Sequence, residues 1–233
     1  MADHTRLLDE TVQRTWTQIK QGRFWTYCLN NPIPADLYRI VMEQIYHYTR
    51  FNSINQAAAA FLAEPEKPGL LKFVYHHAEE ELGHENMARH DIAAVGFDTD
   101  RIEPPLPPTR ALIAYLNDVA IRRGPIARLG YSYWAESAYE HIDELTTKIR
   151  QDLGLTDKAM SFFVAHSRID AKHAEEVREA IDRYAADEAS MVAVREVAET
   201  TLYLTGEILN NAYDRFTAGE SSTRDGHTAA AAG

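Results

Sequence analysis

The sequence predicts an all-α fold, a bundle of seven helices, on three observations. Valine and isoleucine recur at helical spacing rather than in alternation, so strand signals are nearly absent. The stretches between apolar segments are short and carry Pro, Gly, Thr and Asp where helices start and stop. The 233 residues are 45% hydrophobic and 25% charged, an ordinary composition for a soluble globular chain of a length that buries one sizeable core. No repeat of fixed period is visible, which excludes a solenoid.

The elements follow in order. A first helix covers residues 5–20, with Leu8, Val12, Trp16 and Ile19 on one side, and the aromatic segment RFWTYCL comes after it. The Pro and Asp of NNPIPADLYRI open a long second helix running to about Glu64. A third helix spans Leu70 to Val95 and stops at Gly96. The stiff connection FDTDRIEPPLPPT leads to a fourth, capped by Thr109 and ending at Gly124. Pro125 opens a fifth to about Asp152, Thr156 caps a sixth to about Ala186, and a seventh takes residues 188–217. One domain therefore occupies residues 1–217, and the small, polar segment 218–233 reads as a flexible C-terminal tail.

The formal net charge of -11 argues against nucleic acid and against an anionic membrane, since binding phosphate needs clustered Lys and Arg. No apolar window is long enough to span a membrane, and no signal peptide is visible at the N-terminus. The single cysteine, Cys28, excludes an internal disulfide and a Cys-based metal site, and it fits a reducing cytoplasm.

Three stretches carry chemistry. In FFVAHSRIDAKHAEE, His166, Asp170 and His173 share one helical stripe flanked by Phe162, Phe163 and Val177, so that face points inward. Two imidazoles and a carboxylate suit iron, manganese or zinc; a buried hydrogen-bond network is the plainer alternative. In HHAEEELGHE, Glu81 and His84 are three apart and share a face, and Glu80 is placed to reach the same point in place of Glu81. His77 reads either as a partner behind the ligands or as a core histidine, whereas His76, Glu79, Glu85 and His90 face solvent. In GYSYWAESAYEH, Glu136 stands in an aromatic, small-residue run, where its pKa would rise unless a cation neutralised it; otherwise it faces solvent. The candidate set is Glu81, His84, Glu136, His166, Asp170 and His173, three carboxylates and three imidazoles that also serve as the catalytic residues. A mixed set with spare coordination suits a pair of irons better than zinc.

On these motifs the sequence resembles the haem-oxygenase-like di-iron oxidases and oxygenases, relatives of a 1-alkene-forming fatty acid decarboxylase and of the chlamydial para-aminobenzoate synthase. The family carries a Glu and a His on one core helix, a lone Glu on the next, then His-x-x-x-Asp-x-x-His. Those positions fall here on Glu81 with His84, on Glu136, and on His166, Asp170 and His173. The resemblance implies a haem-oxygenase-like bundle over roughly residues 20–215, two Fe ions cycling between Fe2+ and Fe3+, and O2 as co-substrate. It implies a small amino acid or carboxylic acid as substrate, with oxidative C–C or C–N cleavage, desaturation or N-oxygenation, in specialised biosynthesis. An external electron donor and a homodimer accompany it, and the second iron site is the weaker one. Where the chlamydial enzyme consumes a tyrosine of its own, this chain has Trp25, with Tyr27 nearby, which argues against that chemistry.

Arg50, Arg168 and Lys172 are placed to pair a substrate carboxylate and are equally surface charges; the aromatic residues of RFWTY and QIYHYTRF offer a pocket wall or plain core. Two other readings compete. One is a metal-free thiaminase-like or binding protein of the same fold, disfavoured by the placing of Cys28 near the N-terminus. The other is a ferritin-like iron carrier, disfavoured because Glu-x-x-His occurs once rather than twice.

Overall fold

The computed structural model describes the backbone of residues 2–230 and the side chains of residues 5–166 and 172–219. Among the described residues the chain is all-α, with ten α-helices rather than seven: α1 (Ala2–Lys20), α2 (Arg23–Asn30), α3 (Ala35–Ala59), α4 (Pro68–Glu80), α5 (His84–Ala94), α6 (Pro107–Arg122), α7 (Gly124–Ala135), α8 (Tyr139–Leu153), α9 (Ser161–Tyr184) and α10 (Glu188–Ala230). The aromatic segment after α1 is itself the helix α2, which buries Phe24, Trp25 and Cys28. The tail expected at residues 218–233 falls almost wholly where no side chains are described; the backbone of α10 runs on to Ala230.

Two helices expected to be continuous are broken. The expected third helix divides at Glu81–Gly83, where Gly83 takes φ 93°, a left-handed conformation that side chains disfavour. The expected fifth divides at residues 136–138. There the Ser137 hydroxyl donates to the carbonyls of Tyr133 and Trp134 at 3.0 and 3.4 Å, and Ala138 N–H turns to Ala135 O, three residues back. A serine competing for last-turn carbonyls ends a helix by this route. Two expected caps are also corrected. Leu106, not Thr109, precedes the first turn of α6, because Pro107 opens that helix; Thr109 is buried and donates to Gln44 Oε1 at 2.9 Å. Thr156 precedes a 3-10 turn, Asp157–Met160, rather than α9, and its side chain makes no cap bond.

α9 is capped from another helix. Asp91 of α5, fully buried, accepts hydrogen bonds from Ser161 N–H at 2.8 Å, Phe162 N–H at 3.0 Å and the Ser161 hydroxyl at 2.7 Å. Those amides are unpaired donors at the positive end of the helix, so the carboxylate sets where α9 begins and how it is turned.

The core gathers around α10 and α3. α10 packs on α7, α1, α6, α3 and α2, and α3 packs on α4, α5, α6 and α7. Leu8, Val12, Trp16 and Ile19 of α1 are all buried, as their spacing predicts. The contact of α7 with α10 is backbone on backbone: a Cβ on Gly130 would lie 2.0 Å from Val194 O and 2.8 Å from Ala198 N. Gly130→Ala should therefore push the helices apart, cost about 2–3 kcal/mol and lower the melting temperature by roughly 5–10 °C. An unchanged melting curve would show that α7 does not depend on this approach.

Candidate metal centre

Both helix breaks deliver carboxylates inward. Glu81 follows the last residue of α4, His84 is the first of α5, and Glu136 follows the last of α7. Glu81 and Glu136 are buried, at 5% and 6% exposure. The end of a helix where carbonyls lack partners is its negative end, so a buried acid there needs a nearby positive charge or hydrogen-bond donors.

The side chains form two adjoining groups. In the first, His77 Nε2 lies 3.0 Å from Glu136 Oε1, His173 Nδ1 lies 3.4 Å from Glu136 Oε2, and the two imidazole centroids are 5.4 Å apart. Ligand atoms from His77, Glu136 and His173 all fall within 4.8 Å of one another, close enough to share one ion. Glu80 reaches this group as well, with Oε2 3.3 Å from His173 Nε2. In the second group, Glu81 Oε2 is 3.2 Å from His84 Nδ1, and the ring of His166 stands 4.9 Å from that of His84. The groups are near enough for repulsion from Glu136 to act on Glu81.

Of the six residues proposed from sequence, the structure thus brings Glu136 beside His173, and Glu81 and His84 beside His166. The side chain of Asp170 lies outside the described residues. Glu80 and Glu81 face different histidines: with the break after Glu80, Glu81 lies against His84 and Glu80 against His173. His77, two-sided in the sequence, belongs to the cluster, and a continuous helix gave no reason to prefer that outcome.

Charge binds the acids and imidazoles together. Burial pushes the Glu136 carboxyl up, but His173 and His77 outweigh burial and hold it at about 2. Burial likewise raises Glu81, and His84 overcomes it and keeps the carboxyl below its usual range. Contact with Glu136 raises His173 to about 9. His84 is raised against burial by Glu81, while burial lowers His166.

Polar partners hold the donors from behind. His166 Nδ1 is 2.6 Å from Phe162 O, which fixes the proton on Nδ1 and leaves Nε2 as a bare lone pair. Gln56 meets His77 Nδ1 at 2.7 Å, and Asn52 donates to Glu81 Oε2 at 2.7 Å. Neither α3 residue was marked by the sequence, because polar residues on a long helix carry no spacing signature of their own.

The second group opens on a cavity of about 170 Å³ that includes Glu81, Glu136 and His166 in its wall. The rest of that wall is chiefly apolar, with Leu37 and Val41 of α3, Ile142 and Leu145 of α8, and Ile208 and Leu209 of α10. Phe24, Trp25 and Tyr48 are lining residues, so the two aromatic stretches supply wall as well as core. Cys28 also lines it, contrary to the expectation drawn from its place near the N-terminus, since α2 folds back beside α10. Burial pushes its thiol up to about 12, which keeps it protonated and a poor nucleophile. Among the described residues no Lys or Arg lines the cavity. Arg50 is exposed over the Tyr46 ring, Lys172 is exposed and pairs with Glu176, and the side chain of Arg168 is not described.

Residues 39–206 match the family model described as "iron-containing redox enzyme". The chain belongs to that family. It is 40% identical to a domain of unknown function with a haem-oxygenase-like fold from Shewanella denitrificans, with a TM-score of 0.90 over 93% of this chain and 95% of that one. The same fold, at 15% identity and a TM-score of 0.72, is seen in a TenA homologue from Pyrococcus furiosus, covering 90% of this chain and 100% of that chain. It is seen again at 16% identity and a TM-score of 0.70 in haem oxygenase-2 from Synechocystis, covering 93% and 87%. No curated protein matches the chain.

The buried His and Glu donors of this family member suit a metal ion. His77 Nε2, His84 Nδ1 and Glu80 Oε2 are buried and make no hydrogen bond of acceptable geometry, although each lies near another donor of the cluster. Buried polar atoms without partners are costly, and cations held at the two groups would satisfy them.

Loading such a site must displace protons. With its folded value at about 9 against an ordinary 6.5, His173 is cationic near neutral pH, and its pairing with Glu136 contributes stability that is complete below 6.5 and lost as pH rises through 9. Metal requires the neutral ring. Apparent affinity for Co(II) should therefore rise roughly tenfold per pH unit from 7 to 9 and then level, with proton release measurable by calorimetry in two buffers. The metal-free protein should lose thermal stability over the same interval. An affinity flat between pH 7 and 9 would remove His173 from the site.

Proposed function

We propose that the protein is a non-haem di-iron, O2-dependent oxidase or oxygenase acting on a small amino acid or carboxylic acid, by oxidative C–C or C–N cleavage, desaturation or N-oxygenation. The observation that carries this reading is the pair of adjoining His and Glu groups, one of which opens on an apolar cavity. Glu81, His84 and His166 would hold one ion and His77, His173 and Glu80 the other, with Glu136 between them. When bound, a pair of ferrous ions supplies the electrons that reduce O2, chemistry that side chains do not provide.

The chain's own residues set the rest. His166, with its proton held by Phe162 O, keeps a lone pair on the cavity side. The apolar wall excludes water from the reacting end and strengthens electrostatic interactions there. Since no described Lys or Arg faces the cavity, a carboxylate in it would find positive charge at the metal end, and its body would lie among aliphatic and aromatic side chains. Within the proposed substrate class this favours acids with an apolar body. A metal-free, thiaminase-like function is the alternative; the high thiol pKa of Cys28 and the unpartnered donors both weigh against it.

The test is to add Fe(II) without oxygen, then admit O2 with a panel of amino acids and straight-chain acids. Two irons per chain and substrate-dependent O2 uptake are expected. KM should fall by roughly fourfold for each added methylene until the cavity is full, from about 0.8 kcal/mol per buried CH2. His173→Ala should abolish turnover and keep most of the helical circular dichroism. Trace iron only, or a His173→Ala protein that turns over normally, would contradict the reading.

A further inference from the structure

One buried cation has no place in the scheme so far. Arg128 of α7 is 2% exposed, and among the described residues it makes no ion pair. Instead its guanidinium is held by neutral groups. Nε donates to Asn55 Oδ1 at 2.7 Å, Nη1 to Ser132 Oγ at 3.1 Å, and Nη2 to Asn52 Oδ1 at 2.5 Å and to Asn52 O at 3.4 Å. Burying an arginine without a carboxylate contact is costly, so its charge must be used at a distance. Burial lowers its pKa only to about 10, and it stays cationic near neutrality.

The distance is one amide. An Asn side chain offers an acceptor on one side and donors on the other, and nothing intrinsic says which faces where. Here Arg128 occupies the Oδ1 side of Asn52, which forces the amide donors toward Glu81, and Nδ2 donates to Glu81 Oε2 at 2.7 Å. With the amide reversed, Oδ1 would point at a carboxylate oxygen and repel it. The same Glu81 oxygen stands 3.2 Å from His84 Nδ1, so this one bond orients the carboxylate against its neighbouring imidazole.

We propose that Arg128 is a positioning residue which, through the Asn52 amide, holds Glu81 turned toward the metal subsite it forms with His84 and His166. This rests on the metal reading above and deepens it by naming what orders one of the two subsites.

A merely structural link between helices would not act this way, and the chain contains a suitable control. Ser53 Oγ donates to Ala78 O at 2.6 Å and joins α3 to α4 next to the Asn52–Glu81 bond, without touching the site. The experiment is Co(II) titration of the full chain, followed by visible absorption, alongside thermal melting. Asn52→Ala should weaken one of two Co(II) equivalents by about 10- to 100-fold and alter its spectrum. Ser53→Ala should shift only the melting temperature. Arg128→Gln should weaken the same equivalent, and the double variant should be no worse than Asn52→Ala alone, since both act along one route. If Asn52→Ala binds both equivalents as tightly as the wild type and Ser53→Ala, the positioning role is overturned while the metal reading stands. If the wild type binds no Co(II), both are overturned.

Discussion

Two acids placed at the negative ends of broken helices, inside the protein, are the constraint from which the rest follows. Glu81 follows the last residue of α4 and Glu136 the last of α7, and neither has solvent to screen its charge. Burial and the helix dipole both oppose an ionised carboxylate at such a place. The imidazoles of His77, His84 and His173 offset part of that cost, and the unpartnered atoms among them leave room for a cation to offset the remainder.

Seen from that constraint, distant features of the fold have a common purpose. Asp91 fixes the start of α9, which sets the positions along that helix at which His166 and His173 face inward. Gly130 lets α7 lie against α10, so that Glu136 emerges next to α9 rather than beyond it. α3 contributes no charge to the centre, but its amides, Asn52 and Gln56, steady Glu81 and His77. The apolar wall shared by α2, α3, α8 and α10 then gives the centre one sheltered face, which suits chemistry that water would divert.

Much of this was legible in the sequence, for identifiable reasons. Periodicity placed α1, α3, α6 and the start of α10 closely, because long amphipathic stretches repeat the same signal many times. His166 and His173 stood out because two imidazoles on one apolar-flanked stripe are hard to explain as surface. The breaks at Glu81–Gly83 and at residues 136–138 were not legible. Gly83 inside a helical pattern is tolerated in many helices, and Ser137 ends α7 through hydroxyl bonds to carbonyls that only the folded chain reveals. That is also why Glu80 and Glu81 read as rivals: on an unbroken helix they lie four and three residues before His84, and either can reach the same point. Arg128 gave no sign at all, since one arginine among aromatics reads as surface until its partners Asn52 and Asn55 are brought from α3. Cys28 shows the complementary error, because distance along the chain said nothing about distance in space.

The position of bound metal in a crystal tests most directly the proposal that this cluster holds two irons. Anomalous scattering at the iron edge, from crystals grown with ferrous iron in the absence of oxygen, should give two peaks. One should sit among Glu81, His84 and His166 and the other among His77, His173 and Glu80, each near Glu136. A single peak at a surface site, or none within reach of these side chains, would contradict the account.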